Sequence, residues 1–152
     1  MDNNKNSDVV DIVLEQHVAA KKGLTGVSNA SGEQRGELFV ALAPVLAAHE
    51  AAEEAVIYPA LRKLGAEGTK VADERTREEK AAEQTLTKLK GMDAASAEFG
   101  ATFDSFMADV LAHATKEEAE VLPLLKSSCS DEDRRAMGDA FLANQSPAAS
   151  RA

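Results

Sequence analysis

The chain has 152 residues, a formal net charge of −9 and a pI of about 4.8. That length fits one domain with a real core. An acidic chain with 4% aromatic residues and no tryptophan lacks the basic patch and stacking platform that nucleic acid requires, and the charge disfavours an anionic membrane surface.

Ala, Glu, Leu and Lys dominate, which favours helices over sheet. The opening stretch MDNNKNSDVV carries no basic-then-apolar leader. No run approaches the ~18 apolar residues of a membrane span. Cys129 is the only cysteine, so neither an intrachain disulfide nor a CxxC motif can form. A reduced, cytoplasmic setting is expected.

Residues 1–7 are polar and read as disordered. Ser7 or Asp8 caps a first helix with an apolar stripe of Val10, Val13, Leu14, Ala20 and Leu24. His17 falls on that stripe, and Gly23 and Gly26 loosen the helix end. A second helix starts near Gly32. Its stripe is Leu38, Leu42, Val45, Leu46, His49, Glu53, Val56 and Ile57, with Pro44 inside it and Pro59 bending or ending it. Tyr58, more than two turns past His49, is expected to pack at the bundle end.

A charged third helix runs from about Lys70 to Lys90, with Val71, Glu79, Ala82, Leu86 and Leu89 inward and Gly91 as its stop. Asp93 or Ser96 caps a fourth, whose stripe is Phe99, Phe103, Phe106, Val110, His113, Glu117, Val121 and Leu124. Ser130 and the acidic residues after it start a short fifth helix that ends near Leu142. The tail over 143–152 reads as disordered. The expected fold is all-α, an up-down-up-down four-helix bundle over 8–142 with a short additional C-terminal helix.

Two segments repeat one pattern. HEAAEEAVIYPAL begins at His49 and HATKEEAEVLPLL at His113. Each places His and Glu four residues apart, on one helix face. In both segments the pair interrupts an apolar stripe. A carboxylate facing a core is costly unless it is paired or bound to a metal. Imidazole beside carboxylate suits iron, manganese or zinc. All three histidines of the chain fall on inner stripes of different helices. With helices two and four diagonal across the core, the repeat forms a pseudo-two-fold. Helix three has no histidine and offers Glu79, with Glu83 one turn later. Glu54 and Glu118 lie about 100° round their helices and read as flanking groups.

The order His, HxxxE, HxxxEE, with a β-branched residue and Pro after each HxxxE, resembles the hemerythrin-like family, the HHE cation-binding domains, over about residues 8–126. The resemblance implies a carboxylate-bridged centre of two irons inside a four-helix bundle, with manganese or zinc as other occupants. It assigns His17, His49, Glu53 and His113 as ligands, with Glu117 or Glu118 on helix four. Glu53 and Glu117 would bridge, His49 and His113 would each terminate one metal, and His17 and Glu79 would hold one edge. The family has one or two histidines on helix three where this chain has Glu79 and Glu83. Extra anionic oxygen donors favour the oxidised metal, away from reversible oxygen carriage.

The expected function is therefore a non-haem di-iron protein that binds or reduces dioxygen, peroxide or nitric oxide. Its partner is such a small ligand, and sensing, detoxification or oxygen activation its role. An oxygen-dependent oxidase or oxygenase acting on an organic substrate, in space left by Ala48, Ala52, Ala82 and Ala114, is the alternative, as is a non-catalytic iron-binding or interaction module.

Overall fold

The structure is a computed structural model and describes residues 7–146. Most of the disorder expected at the two ends falls outside these residues. Among the described residues every regular element is helical. None of these helices is long and apolar enough to cross a membrane.

Helix α1 spans Val9–Asn29 and is capped by Asp8, whose side chain accepts from the Val10 backbone N–H at 2.9 Å. It runs unbroken through Gly23 and Gly26. Helix α2, Gly32–Ala52, passes into a π-helical turn, Glu53–Ile57, and then into α3, Tyr58–Arg62. Helix α4 covers Ala66–Lys90 and stops at Gly91. Ser96 caps α5, Ala97–Lys116, by accepting from the Phe99 backbone N–H. A second π turn, Glu117–Val121, leads into α6, Leu122–Ser128. Ser130 caps α7, Asp131–Asn144, by accepting from Asp133 N–H.

The two π turns are the local signature of the repeat. Each starts at the Glu of HxxxE and closes with an i→i+5 bond: Tyr58 N–H to Glu53 C=O, and Leu122 N–H to Glu117 C=O. Pro59 and Pro123 come immediately after. A proline ring clashes with the carbonyl four residues back and supplies no N–H. The wider π turn spreads the backbone at that place. Pro59, expected to bend or end the helix, does not end it: the helix continues as α3 because the turn before it has already absorbed the misfit.

The apolar core forms two clusters. One holds Val9, Val13, Ile57, Tyr58, Leu61, Leu122, Leu125 and Phe141. The other holds Leu24, Phe39, Leu42, Leu46, Leu86, Phe99, Phe103 and Phe106. Three glutamates, Glu53, Glu79 and Glu117, are fully buried as well. Phe39 is core while Leu38 and Val45 of the expected α2 stripe are exposed, so that stripe is rotated slightly from the expectation. On α1, Leu14 is likewise exposed.

Helix α7 packs on α1, on α2 and on the first π turn. Gly138 makes this approach possible, since a Cβ there would lie 1.4 Å from the Ser7 carbonyl oxygen. Arg134 fastens the start of α7 to Asp8 Oδ2 at 3.0 Å and to the Cys129 carbonyl at 2.8 Å. The ordered chain extends past the expected end of the domain. Ala143 and Asn144 are helical, and Gln145 is hydrogen-bonded to Gln16.

Candidate metal centre

Six residues from four helical stretches converge. His17 comes from α1, His49 and Glu53 from α2 and its π turn, Glu79 from α4, and His113 and Glu117 from α5 and its π turn. Their donor atoms fall into two groups, each with all atoms within 4.8 Å of one another. One is His17, His49, Glu53 and Glu117. The other is Glu53, Glu79, His113 and Glu117. Glu53 and Glu117, the equivalent residues of the repeat, belong to both. His17 and Glu79 fall into different groups rather than along one edge.

Each imidazole turns its Nε2 inward. His49 Nε2 lies 3.0 Å from Glu53 Oε2, and His17 Nε2 lies 3.1 Å from Glu117 Oε1. His113 Nε2 lies 3.3 Å from Glu79 Oε2 and 3.4 Å from Glu117 Oε2. Each Nδ1 faces an acceptor outside the cluster: Glu118 Oε2 at 2.8 Å for His17, Gln16 Oε1 at 2.8 Å for His49, Glu78 Oε1 at 2.7 Å for His113. A metal-bound histidine is oriented in this way, its second nitrogen donating to an outer acceptor.

The electrostatics are those of a site built for cations. Burial raises the pKa of Glu53 well above the carboxylate range, with Glu117 and Glu79 adding to it. Burial also opposes ionisation of Glu117, but the neighbouring His113 and His17 imidazoles outweigh it and hold that pKa well below the carboxylate range. Burial pushes His49 down to about 4, so it is neutral near pH 7 and ready to donate a lone pair. Burial disfavours charge on His113 too, yet Glu117, Glu79 and Glu78 win and raise it to about 10.

Four buried donor atoms of the cluster lack a hydrogen-bond partner: His49 Nε2, Glu53 Oε2, Glu79 Oε1 and His113 Nε2. Orphaned atoms of this kind are expensive in a core. Nitrogen and oxygen donors grouped this closely fit divalent or trivalent first-row metals.

Glu83 is not brought to this cluster. Four residues past Glu79 is about 40° further round the helix, and Glu83 is exposed there. Glu117 stands in both groups, while Glu118 sits behind His17. Glu54 is exposed; burial and Glu79 raise it to about 7.

Tyr58 corrects the sequence reading most sharply. It does not pack away from the site, since its hydroxyl lies 2.7 Å from Glu79 Oε2, 2.9 Å from Glu117 Oε2 and 3.4 Å from Glu53 Oε1. Sequence reasoning also passed over Glu78 and Gln16. Glu78 was one of many charged residues, while Gln16 directly precedes His17, its only sequence signal.

A cavity of about 40 Å³ touches the donors. Leu24, Leu46, Leu86, Phe106 and Val110 line it beside His17, His49 and His113. Of the four alanines expected to leave space, Ala82 and Ala114 line it; Ala48 and Ala52 do not. A second groove of about 210 Å³ runs outside, between α4 and α5, past Glu79 and His113.

A helical bundle with a buried His/Glu cluster defines a class, that of metal-binding bundles. The family model of the hemerythrin HHE cation-binding domain matches residues 8–125, and the chain belongs to that family. A hemerythrin-like protein of Schizosaccharomyces pombe is 32% identical over 97 residues, which cover 63% of this chain and 48% of that protein. The chain thus spans about half the length of the curated relative it matches. No solved structure matches the chain significantly.

Proposed function

We propose that this is a non-haem di-iron protein of the cytoplasm that binds or reduces dioxygen, peroxide or nitric oxide. The observation that carries the reading is the pair of donor groups sharing Glu53 and Glu117 beside a cavity of only about 40 Å³. A space that holds a few waters at most suits a diatomic ligand or peroxide. An organic substrate would need the wider groove of about 210 Å³ past Glu79 and His113. The reading carries with it the up-down-up-down order of the four long helices.

Bound iron would supply one-electron redox changes and an open position for a small ligand. The protein's own part is separable. Glu53 and Glu117 would bridge. His17 and His49 would complete one metal position, Glu79 and His113 the other. Leu24, Leu46, Leu86 and Phe106 make the cavity wall beside the donors apolar. The Tyr58 hydroxyl oxygen lies within 2.9 Å of both Glu79 and Glu117, so its one proton can be donated to either carboxylate. The second position has three carboxylates and one imidazole, hard donors that favour oxidised iron. That bias supports reduction or sensing of the ligand over its reversible carriage.

The test is the metal content and optical spectrum of protein purified from iron-fed cells, before and after the reduced form meets oxygen, peroxide or nitric oxide. About two irons per chain, with a visible absorption change on ligand addition, is the expected result. Protein that holds no metal after such growth would refute it.

A further inference from the structure

The three histidines are not held alike. His17 and His113 lean on carboxylates, Glu118 and Glu78. His49 leans on a neutral amide, Gln16, and that amide does not stand alone. Gln145 Nε2 donates to Gln16 Oε1 at 2.9 Å, and Gln16 Nε2 donates to Gln145 Oε1 at 2.8 Å. The partner lies 129 residues away, just past the end of α7. In this arrangement the reciprocal pair presents Gln16 Oε1 to His49. With Gln145 donating to Oε1, that oxygen remains the acceptor for His49 Nδ1–H, which leaves Nε2 bare for a metal.

Helix α7 touches the same corner at two more places. The Phe141 ring, fully buried, meets the His49 ring edge-on with centroids 5.9 Å apart. The helix also packs on the π turn that begins with Glu53. Imidazole ring, outer acceptor and neighbouring carboxylate of one donor group are thus all braced by one helix. That helix lies beyond residue 125, where the family match ends.

We propose that α7 is a positioning strut for the His49 side of the centre, with Gln16 and Gln145 as positioning residues, so that metal occupancy there and docking of α7 reinforce each other. The proposal rests on the metal-binding reading of the cluster. The coupling is reciprocal by linkage: whatever α7 adds to metal affinity, the metal adds to α7 docking. The other position, with Glu79 and His113, has its outer acceptor on α4. The Gln16–Gln145 pair and Phe141 therefore act on the His49 position alone, while the π-turn contact reaches Glu53, which both positions share.

The experiment uses the full chain, stripped of metal and titrated with ferrous iron under argon by calorimetry. Amide hydrogen exchange over 131–144 is measured in the stripped and loaded protein. In Gln16→Leu one binding step is expected to weaken by about 10–100-fold while the other is unchanged. Gln16→Glu, which restores an acceptor, should recover it. Loading should slow exchange in α7 of the unaltered protein, and slow it less in Gln145→Ala, which removes the tie to Gln16 just past the end of that helix. Equal weakening of both steps, or no weakening, overturns the proposal, as does α7 exchange that ignores the metal. Unaltered protein that takes up no iron removes the metal-binding reading itself; two normal steps in Gln16→Leu remove only the strut.

Discussion

Replacing Tyr58 by Phe removes one oxygen atom and leaves the ring, which is 2% exposed, in place. No cavity of consequence opens, so the effect isolates the hydroxyl. That hydroxyl lies within 2.9 Å of two fully buried carboxylates, Glu79 and Glu117. A hydrogen bond to a charged group contributes about 1.5–3 kcal/mol. Metal-free Tyr58→Phe should therefore be less stable by about 1.5–3 kcal/mol in urea unfolding, a midpoint shift of roughly 3–12 °C on heating at this chain length. Bound cations give Glu79 and Glu117 a second, stronger partner, so the loss should shrink in loaded protein. The assay is paired urea unfolding of chelator-treated and metal-loaded protein. A metal-free variant within about 0.5 kcal/mol of the parent would show that the hydroxyl does not serve the carboxylates, and an equal loss in both forms would show that bound cations do not take over its part.

The same geometry sets three further outcomes. Glu83→Gln should leave metal stoichiometry and affinity unchanged in a titration, because Glu83 is exposed outside both donor groups. Gly138→Ala should lower stability by about 1–3 kcal/mol, read by urea unfolding, because the new Cβ would meet the Ser7 carbonyl at 1.4 Å and push α7 off the bundle. The pH dependence has a definite sign. His113 is raised from 6.5 to about 10 despite its burial, by Glu117, Glu79 and Glu78. Its contribution is complete below pH 6.5 and is lost as pH rises through 10. Metal-free protein should therefore lose thermal stability across that window. A cation must displace the His113 proton, so uptake should release protons in a pH-stat at about pH 8. Uptake with no proton release would contradict the assignment.

The legible part of this molecule was the part that obeys regular helix geometry. His49 with Glu53, and His113 with Glu117, could be paired because four residues return to the same face. Glu79 could be picked from the inner line it shares with Ala82 and Leu86, all three on one helix. Illegible features came from two sources. The first is the π turn. At about 100° per residue Tyr58 lies about 140° from Glu53, and that arithmetic sends it away from the site. The i→i+5 bond between the same two residues brings it one turn on, over the same face. The pair of prolines at matching positions was the available clue, since each implies a backbone that cannot be regular helix just upstream. The second source is distance along the chain. Gln16 and Gln145 are ordinary polar residues until the fold joins them, and no periodicity links a first helix to a last one.

The repeat places equivalent glutamates at both π turns, yet the residues one π turn later differ. After Glu53 the i+5 position is Tyr58, with a hydroxyl that reaches the carboxylates. After Glu117 it is Leu122, which joins the apolar core. The outer acceptors differ too, an amide tied to α7 behind His49 and a carboxylate behind His113. A symmetric scaffold thus carries two unlike donor groups, one with two imidazoles, of which α7 braces His49, and one rich in carboxylate. Unlike donor sets shift the affinities and potentials of the two positions apart. A stepwise change at one position is what a sensing or reducing centre uses, whereas a carrier gains from two positions that return together to their starting state. The asymmetry built on the repeat, more than the repeat itself, is what supports the proposed reading of ligand reduction or sensing.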